Sequence, residues 1–572
     1  LDYYRSNYFI FCCSVFYNEE KKVKLKYLFK RKVLSIEEKK ERRHNRILLI
    51  LSGILFGISF TPFPFPFPLF LFVAFVPYFF VIKKKQTLLK VNSASYLSFF
   101  VMSLITVFWV GSWQSEADPF LMISGVVLVF FLPCVMLINS TLFYLSRKVF
   151  KKDLSLYFFP FFWVTGEYLL SLTDLKFPWL TIGHGLAKFT SFIQIADIVG
   201  AFGLSFIVLW INIFIFKGLK SFKENLKGGT IYFSAAASIF ILIIVYGFTI
   251  ISSSNNDEQK IKVGIIQPNI DPWNKWELGG LDDILKNNLL LSQKCADEGA
   301  KLILWPETAL PVYLMSGTYE REVDSIYSFL RKNNVSLLTG MPDFLVYEKD
   351  PPRNAKYSEV SKYYYATYNS ILLLQPNTYE VQRYGKMHLV PLGEHTPFVD
   401  QLPFLGDLLK WGVGISGWNV GQDTTVFKFI NDNDTIKVGG LVCYESVFPT
   451  FPNYFVDRGA QFLAVLTNDS WYGKLSGPYQ HKEFANLRAV ENRRAVVRCA
   501  NGGVSCLINK FGVTEVETEM FTRTHLVVDV PLNNEETFYT KNPLIIPVLS
   551  SAFSLWIFGI NILLWMKKKF KL

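Results

Sequence analysis

Val438-Gly439-Gly440-Leu441-Val442-Cys443-Tyr444-Glu445 is an apolar run that stops on a thiol and a carboxylate. Read as a buried strand of a layered α/β fold, it delivers Cys443 to a strand end, where such folds open into a cleft. Two further stretches have the same form. Leu302-Ile303-Leu304-Trp305-Pro306-Glu307-Thr308 ends an apolar strand on Glu307, and Tyr384-Gly385-Lys386-Met387-His388-Leu389-Val390-Pro391 presents Lys386. Alone, Cys443 reads as a small buried hydrophobe, Glu307 as a helix-start carboxylate and Lys386 as a solvated charge. Together they supply what acyl transfer needs. A thiol attacks an ester carbonyl well only as thiolate, so a neighbouring base must take its proton, and Glu307 is suited to that. The tetrahedral intermediate needs donors or positive charge at its oxyanion, which Lys386 and a backbone N–H after Cys443 provide.

Outward from these stretches, residues 252–545 read as α/β. Strands are expected at Ile261–Gln267, Lys301–Trp305, Val335–Gly340, Tyr368–Gln375, Ile436–Val442, Phe462–Thr467 and Val504–Asn509. Amphipathic helices lie between several of them. Leu281, Ile284, Leu285 and Leu289 share one face, as do Tyr319, Val323, Ile326, Tyr327 and Leu330. Arg488, Arg493, Arg494 and Arg498 are expected on a helix, as a solvated or ion-paired face.

The remainder of the 572 residues is built for lipid. Phe occurs 54 times, 51% of residues are hydrophobic and 19% are charged, against about a quarter charged in soluble domains. Apolar runs at 47–60, 68–82, 96–113, 121–146, 157–172, 191–216, 231–251 and 546–565 give eight expected spans. In the Phe63-Pro64-Phe65-Pro66-Phe67-Pro68 stretch each proline removes a backbone donor, so the first two runs are expected to make a tight hairpin. Basic residues mark one side. They crowd the segment before the first span, then Lys83–Lys85, Arg147–Lys152, Lys217–Lys227 and Lys567–Lys569, so these segments are expected in the cytoplasm and 252–545 outside. The net charge of +12 is therefore a membrane-loop signature, and nucleic acid is not an expected partner. The expected organisation is a basic cytoplasmic tail (1–46), a transmembrane domain of about seven helices (47–251), an outer domain (252–545), and a final span with a basic cytoplasmic tail (546–572). Residues 11–46 are too basic and too broken for a cleaved signal peptide, so the first apolar helix is expected to serve as an uncleaved signal-anchor. The seven cysteines are scattered without CxxC or Cys/His metal spacing, which favours a single reactive thiol over a disulfide framework or a metal site. Glu167, inside an apolar run, is costly there, and packing against another span is its expected role.

The three reactive stretches resemble the Glu-Lys-Cys triad of the nitrilase superfamily, and within it the chain resembles the apolipoprotein N-acyltransferases from about residue 47 onward. Gln267-Pro268-Asn269-Ile270 with Lys275-Trp276, Trp305 through Pro311, Lys386 through Glu394, Cys443-Tyr444-Glu445, Asn468 through Gly473 and Gly477 through His481 carry the resemblance in order and spacing. It implies an αββα sandwich on a multi-pass helical membrane domain of a bacterial inner membrane, with the catalytic domain periplasmic. It also implies a two-step reaction. Cys443 takes a fatty acyl group from a phospholipid as a thioester and gives it to the α-amine of a diacylglyceryl-cysteine at a lipoprotein N-terminus, with no soluble cofactor. By the same resemblance Glu394 and Glu445 support the triad Glu307, Lys386 and Cys443, Tyr444 and Asn369 shape the site, and Trp276 and Trp471 line its lipid-facing mouth. Glu394 and Glu445 also read as mere holders of Lys386 and nearby backbone, and the two tryptophans as ordinary interfacial anchors.

Two other readings stand beside this one. A membrane-tethered amidase or nitrilase would share the thioester step and pass the acyl group to water. A non-catalytic receptor or transporter would predict a broken triad and polar groups threading several spans, and the sequence has few of those.

Overall fold

The computed structural model describes residues 34–151, 153–253, 258–275, 280–352, 354–395, 397–398, 417–431 and 434–570. The chain divides into two units, Leu1–Ile47 and Leu48–Leu572. In the first, the Ser35 hydroxyl accepts the Glu38 N–H at 3.1 Å and the Glu38 carboxylate accepts the Ser35 N–H at 2.9 Å. This reciprocal cap satisfies two donors that a helix start leaves open, and it begins α1 (Ile36–Gly57).

In the second unit the chain folds back after α1. The Ser52 hydroxyl donates to the Ala74 carbonyl at 2.6 Å and Phe56 meets Phe75 edge-on at 5.9 Å, so the Phe-Pro run forms a hairpin. It leads into α2 (Val76–Ile82), whose seven residues rise only about 10 Å at 1.5 Å each. Then come α3 (Leu88–Val107), α4 (Pro119–Val149), α5 (Phe159–Leu172), α6 (Ala196–Phe222) and α7 (Leu226–Ser252). Among the described residues five helices are long and apolar enough to cross a membrane: α3 with its extension to Gly111, α4, α6, α7, and the final helix Ile545–Phe570. The other three expected spans fall short for local reasons. Residues 47–60 include the end of α1, prolines break 61–75, and α5 has fourteen residues with Pro160 in its first turn.

The polar half is a four-layer α/β structure. Along the chain run β1 (Lys260–Gln267), α8 (Leu281–Asp297), β2 (Leu302–Trp305), α9 (Glu320–Asn333), β3 (Ser336–Tyr347), β4 (Lys356–Ser358), β5 (Tyr363–Gln375) and β6 (Thr378–Gly385). After them come β7 (Val426–Asn431), β8 (Asp434–Val442), β9 (Phe462–Thr467), α10 (Ser476–Asn492), β10 (Val496–Ala500), β11 (Cys506–Ile508), β12 (Thr514–Glu517), β13 (Thr524–Pro531) and α11 (Ile545–Phe570). One sheet has the order β13-β1-β2-β3-β5-β4 with β6 on β5, the other β12-β11-β10-β9-β8-β7. Each sheet is parallel at its centre, β1-β2-β3 and β8-β9-β10. Side chains alternate between faces along a strand, and β2 shows the consequence. Leu302 and Leu304 join the core between the sheets, while Ile303 and Trp305 join the one under α8 and α9. α10 packs on the second sheet and also on α6.

For the arginines, expected as a solvated or ion-paired face of a helix, the ion-paired alternative holds for Arg488, Arg493 and Arg498 and the solvated one does not. α10 is buried from Gln480 to Asn492. Arg488 pairs with Glu491 at 2.9 Å, Arg493 pairs with Asp197 of α6 at 2.6 Å, and Arg498, on β10 rather than a helix, pairs with Asp469. Arg494 donates to the Ala460 carbonyl at 2.8 Å. None of the four is a solvated surface charge: Arg488 lies on the buried α10, Arg493 and Arg494 follow its last turn and are buried too, and Arg498 is buried on β10. Glu167 is also buried within the protein, accepting from the Trp163 indole and the Ile182 N–H, each at 2.8 Å.

Candidate active site

Three strand ends bring the predicted triad to one place. β2 carries the chain through Pro306 to Glu307, and the neighbouring β3 backbone lies so close at Gly340 that an added Cβ would sit 2.6 Å from Glu307 Cα. Lys386 follows β6 directly, its N–H donating to the Asn369 carbonyl at 2.8 Å. Cys443 follows β8 at φ +49°, a left-handed conformation uncommon for a side-chain-bearing residue, and opens the turn Cys443–Val447. Glu307, Lys386 and Cys443 line a single cavity.

Lys386 is fully buried between two carboxylates, 3.3 Å from Glu307 and 2.8 Å from Glu394. The Asn369 amide donates to both acids, at 2.8 and 3.0 Å, and the Asn468 N–H donates to the other Glu307 oxygen at 3.0 Å. Burial alone would lower the Lys386 pKa, but Glu307, Glu394 and Cys443 outweigh it and hold the ammonium well above the ordinary lysine value. Cys443 is open to the cavity, yet burial pushes its thiol up, Glu307 adds to that, and Lys386 opposes it. The resting group is a thiol that needs a base. Since Lys386 is the cation favouring the thiolate, Lys386→Met is expected to slow iodoacetamide alkylation of Cys443 at a given pH and move its pH profile upward. Intact mass against pH measures this, and an unshifted profile would contradict it.

Glu445 lies behind the triad. It accepts from the Tyr384 hydroxyl at 2.6 Å, from the N–H groups of Met387 and His388 at 2.7 and 3.2 Å, and from the Val442 N–H at 2.8 Å. One carboxylate thus ties the lysine segment to the cysteine turn, although burial pushes its pKa up to about 7. The Tyr444 hydroxyl donates to the Lys176 carbonyl at 2.6 Å. Trp471 lines the cavity, and its carbonyl accepts from the Ser112 hydroxyl at 2.6 Å. Trp276 lies outside the described residues.

Sequence reasoning quoted Lys275, Asp469 and His481 within the motif stretches but gave them no part in the site. Lys275 donates to the Thr308 hydroxyl at 3.0 Å, and burial lowers its pKa to about 7 against the attraction of Glu307. His481, which lines the cavity, reaches Asp469 at 2.8 Å and the Cys443 carbonyl at 3.0 Å. Asp469, His481 and Cys443 have donor atoms within 4.8 Å of one another. Asp469 already faces Arg498, and burial, which would raise its pKa, is overcome by Arg498 and His481. A metal ion there would have to displace those partners. The opposite wall of the cavity comes from membrane segments, including Trp109, Leu128, Leu132, Phe177 and Trp179. No local pattern in the sequence announces these contacts.

A buried Glu-Lys-Cys constellation on a two-sheet α/β sandwich defines a nitrilase-type enzyme. Accordingly, residues 262–539 match the carbon-nitrogen hydrolase family. Residues 52–214 match the apolipoprotein N-acyltransferase N-terminal domain. An apolipoprotein N-acyltransferase from Chlorobaculum tepidum is 33% identical over 87% of this chain and 93% of its own length, and one from Geobacter metallireducens is 30% identical over 87% and 92%. A solved structure, Nit3 of Saccharomyces cerevisiae from the nitrilase superfamily, aligns over 52% of this chain and 97% of its own at 16% identity, with a TM-score of 0.34. The chain belongs to the apolipoprotein N-acyltransferase family and is an acyltransferase with a multi-helix membrane part.

Proposed function

We propose that the protein moves a fatty acyl group from a phospholipid to the α-amine of a lipoprotein's N-terminal diacylglyceryl-cysteine. The observation that carries this reading is the shared cavity: triad side chains form one wall and apolar residues of α4 and neighbouring segments the other. A water-soluble substrate has no use for such a wall, whereas an acyl chain gains about 0.8 kcal/mol per CH₂ buried.

In the first step Glu307 takes the Cys443 proton as the thiolate attacks the ester carbonyl. Lys386 and a backbone N–H after Cys443 balance the oxyanion. Collapse forms the thioester, and the lysophospholipid alkoxide leaves with the proton held by Glu307. In the second step the acceptor amine attacks the thioester, Glu307 takes a proton from it, and the Cys443 thiolate departs and is reprotonated. Atoms and charges balance without a soluble cofactor. Glu394 and Asn369 keep Lys386 and Glu307 aligned, Glu445 fixes the cysteine turn, and Tyr444, Trp471 and Trp276 shape the mouth.

The location belongs to the same proposal: a bacterial inner membrane, residues 47–251 and 546–572 holding the spans, and 252–545 in the periplasm. The side preference of lysine and arginine supports it. Intact mass after incubation with phospholipid tests the function, with one acyl adduct on Cys443 expected and none contradicting it. For topology, a reporter active only outside the cytoplasm, fused at Ser254, is expected to give signal. Signal only from a cytoplasmic reporter there would overturn the orientation.

A further inference from the structure

Gln480 is 1% exposed, on the face of α10 that meets the membrane segments. Its carbonyl oxygen accepts two indole N–H groups, Trp109 at 3.1 Å and Trp179 at 2.6 Å. Its amide nitrogen donates to the carbonyls of Thr61 at 2.8 Å and Thr106 at 3.1 Å. An indole N–H only donates and a backbone carbonyl only accepts, so the orientation of the amide is fixed by chemistry. All four of its hydrogen-bonding positions are used. They join the hairpin after α1, the end of α3, the segment before α6 and the catalytic α/β layer.

Both indoles face the chemistry. Trp109 and Trp179 line the cavity that holds Cys443, with their rings 4.7 Å apart. Trp109 meets Tyr472 edge-on at 4.7 Å, and Trp179 lies nearly parallel to Tyr444 at 6.4 Å. The sequence leaves room for this wall. A Cβ on Gly477, one turn before Gln480, would lie 2.3 Å from the Trp109 ring.

Resting on the acyl-transfer reading of the site, we infer that Gln480 is a positioning residue for the acyl donor, holding the two indoles as the throat that aligns a long acyl chain with Cys443. A scaffold glutamine would affect every substrate alike. A throat matters only to a chain long enough to lie along it, so the effect of losing Gln480 grows with acyl length.

The test uses the purified full chain in detergent with p-nitrophenyl palmitate and p-nitrophenyl acetate. In each, the Cys443 thiolate attacks the ester carbonyl, p-nitrophenolate leaves with the bonding electrons, and the burst reports thioester formation. Wild type is expected to favour palmitate. Gln480→Met keeps the length of the side chain and removes its four hydrogen bonds. Its palmitate burst rate is expected to fall about tenfold to a hundredfold, the scale on which misplacement of about 1 Å acts, while acetate stays within about threefold. Trp179→Phe, which removes one of the four bonds, should lose part of the palmitate preference and add little when combined with Gln480→Met, because the two act through one contact. Equal losses on both esters, or no loss on either, would overturn the inference. Should Gln480→Met lack a thermal unfolding transition, the palmitate-to-acetate ratio of Trp179→Phe decides, an unchanged ratio counting against it. A wild type without palmitate preference would instead sink the acyl-donor reading itself.

Discussion

Cys443→Ala is expected to leave no acyl adduct after incubation with phospholipid, a loss on the order of a millionfold, the scale seen when a catalytic nucleophile is removed. Among the described residues no other thiol lines the cavity. Cys295 is buried on α8, Cys499 and Cys506 are buried in β10 and β11, and Cys134 lies on α4. The fold should survive, because alanine at φ +49° meets the same backbone restriction as cysteine and the turn is held by Glu445 through Val442. Thermal unfolding in detergent checks that point and intact mass the adduct. An adduct retained in Cys443→Ala would put the nucleophile elsewhere.

Lys386→Met is expected to cut acyl loading by about a hundred- to a thousandfold, as losing an oxyanion partner does, and also to destabilise the protein. The second effect comes from burial. Lys386 is 0% exposed and is the cation between Glu307 and Glu394, so its loss leaves two acids held by neutral donors, the Asn369 amide and the N–H groups of Asn468 and Val390. Breaking a buried pair this way costs roughly 3–5 kcal/mol. Glu307→Gln separates the two effects. It keeps an acceptor for the Asn468 N–H and leaves Lys386 paired with Glu394, so loading should fall by orders of magnitude with a smaller change in thermal stability. Loading in Lys386→Met within about tenfold of wild type would remove Lys386 from the oxyanion role.

Glu307 and Cys443 were legible because each follows an apolar strand end, whereas Lys386 follows β6, whose Glu380, Gln382 and Arg383 kept it from being assigned as a strand. The central strands β2 and β9 were legible as continuous apolar runs, and β1 and β8 through the largely apolar runs Ile261–Gln267 and Ile436–Val442, each carrying one lysine, Lys262 and Lys437. Edge strands such as β7 and β12 carry polar residues on their exposed faces and were not assigned. β10 was missed because its Arg498 resembled a helix charge, when its partner Asp469 lies 29 positions away in sequence. α10 hid its role most completely. Gln480, His481, Arg488 and Glu491 make it look solvated, and its partners on the second sheet, the end of α3, α6 and the cysteine turn bury it. Where proline breaks or shortens a helix, as in residues 61–75 and α5, the apolar runs correspond to shorter helical segments.

The most direct test of the account is the fate of the loaded enzyme. Protein acylated on Cys443 from phospholipid, and freed of excess donor, is followed by intact mass with and without a synthetic diacylglyceryl-cysteine peptide. A cavity walled by Trp109, Trp179 and Tyr472 keeps bulk water from the thioester, so the adduct should persist alone. The peptide with a free α-amine should discharge it to N-acyl peptide, and an N-acetylated peptide should leave it loaded. Release of free fatty acid at the same rate with or without the amine would contradict acyl transfer and establish a hydrolase.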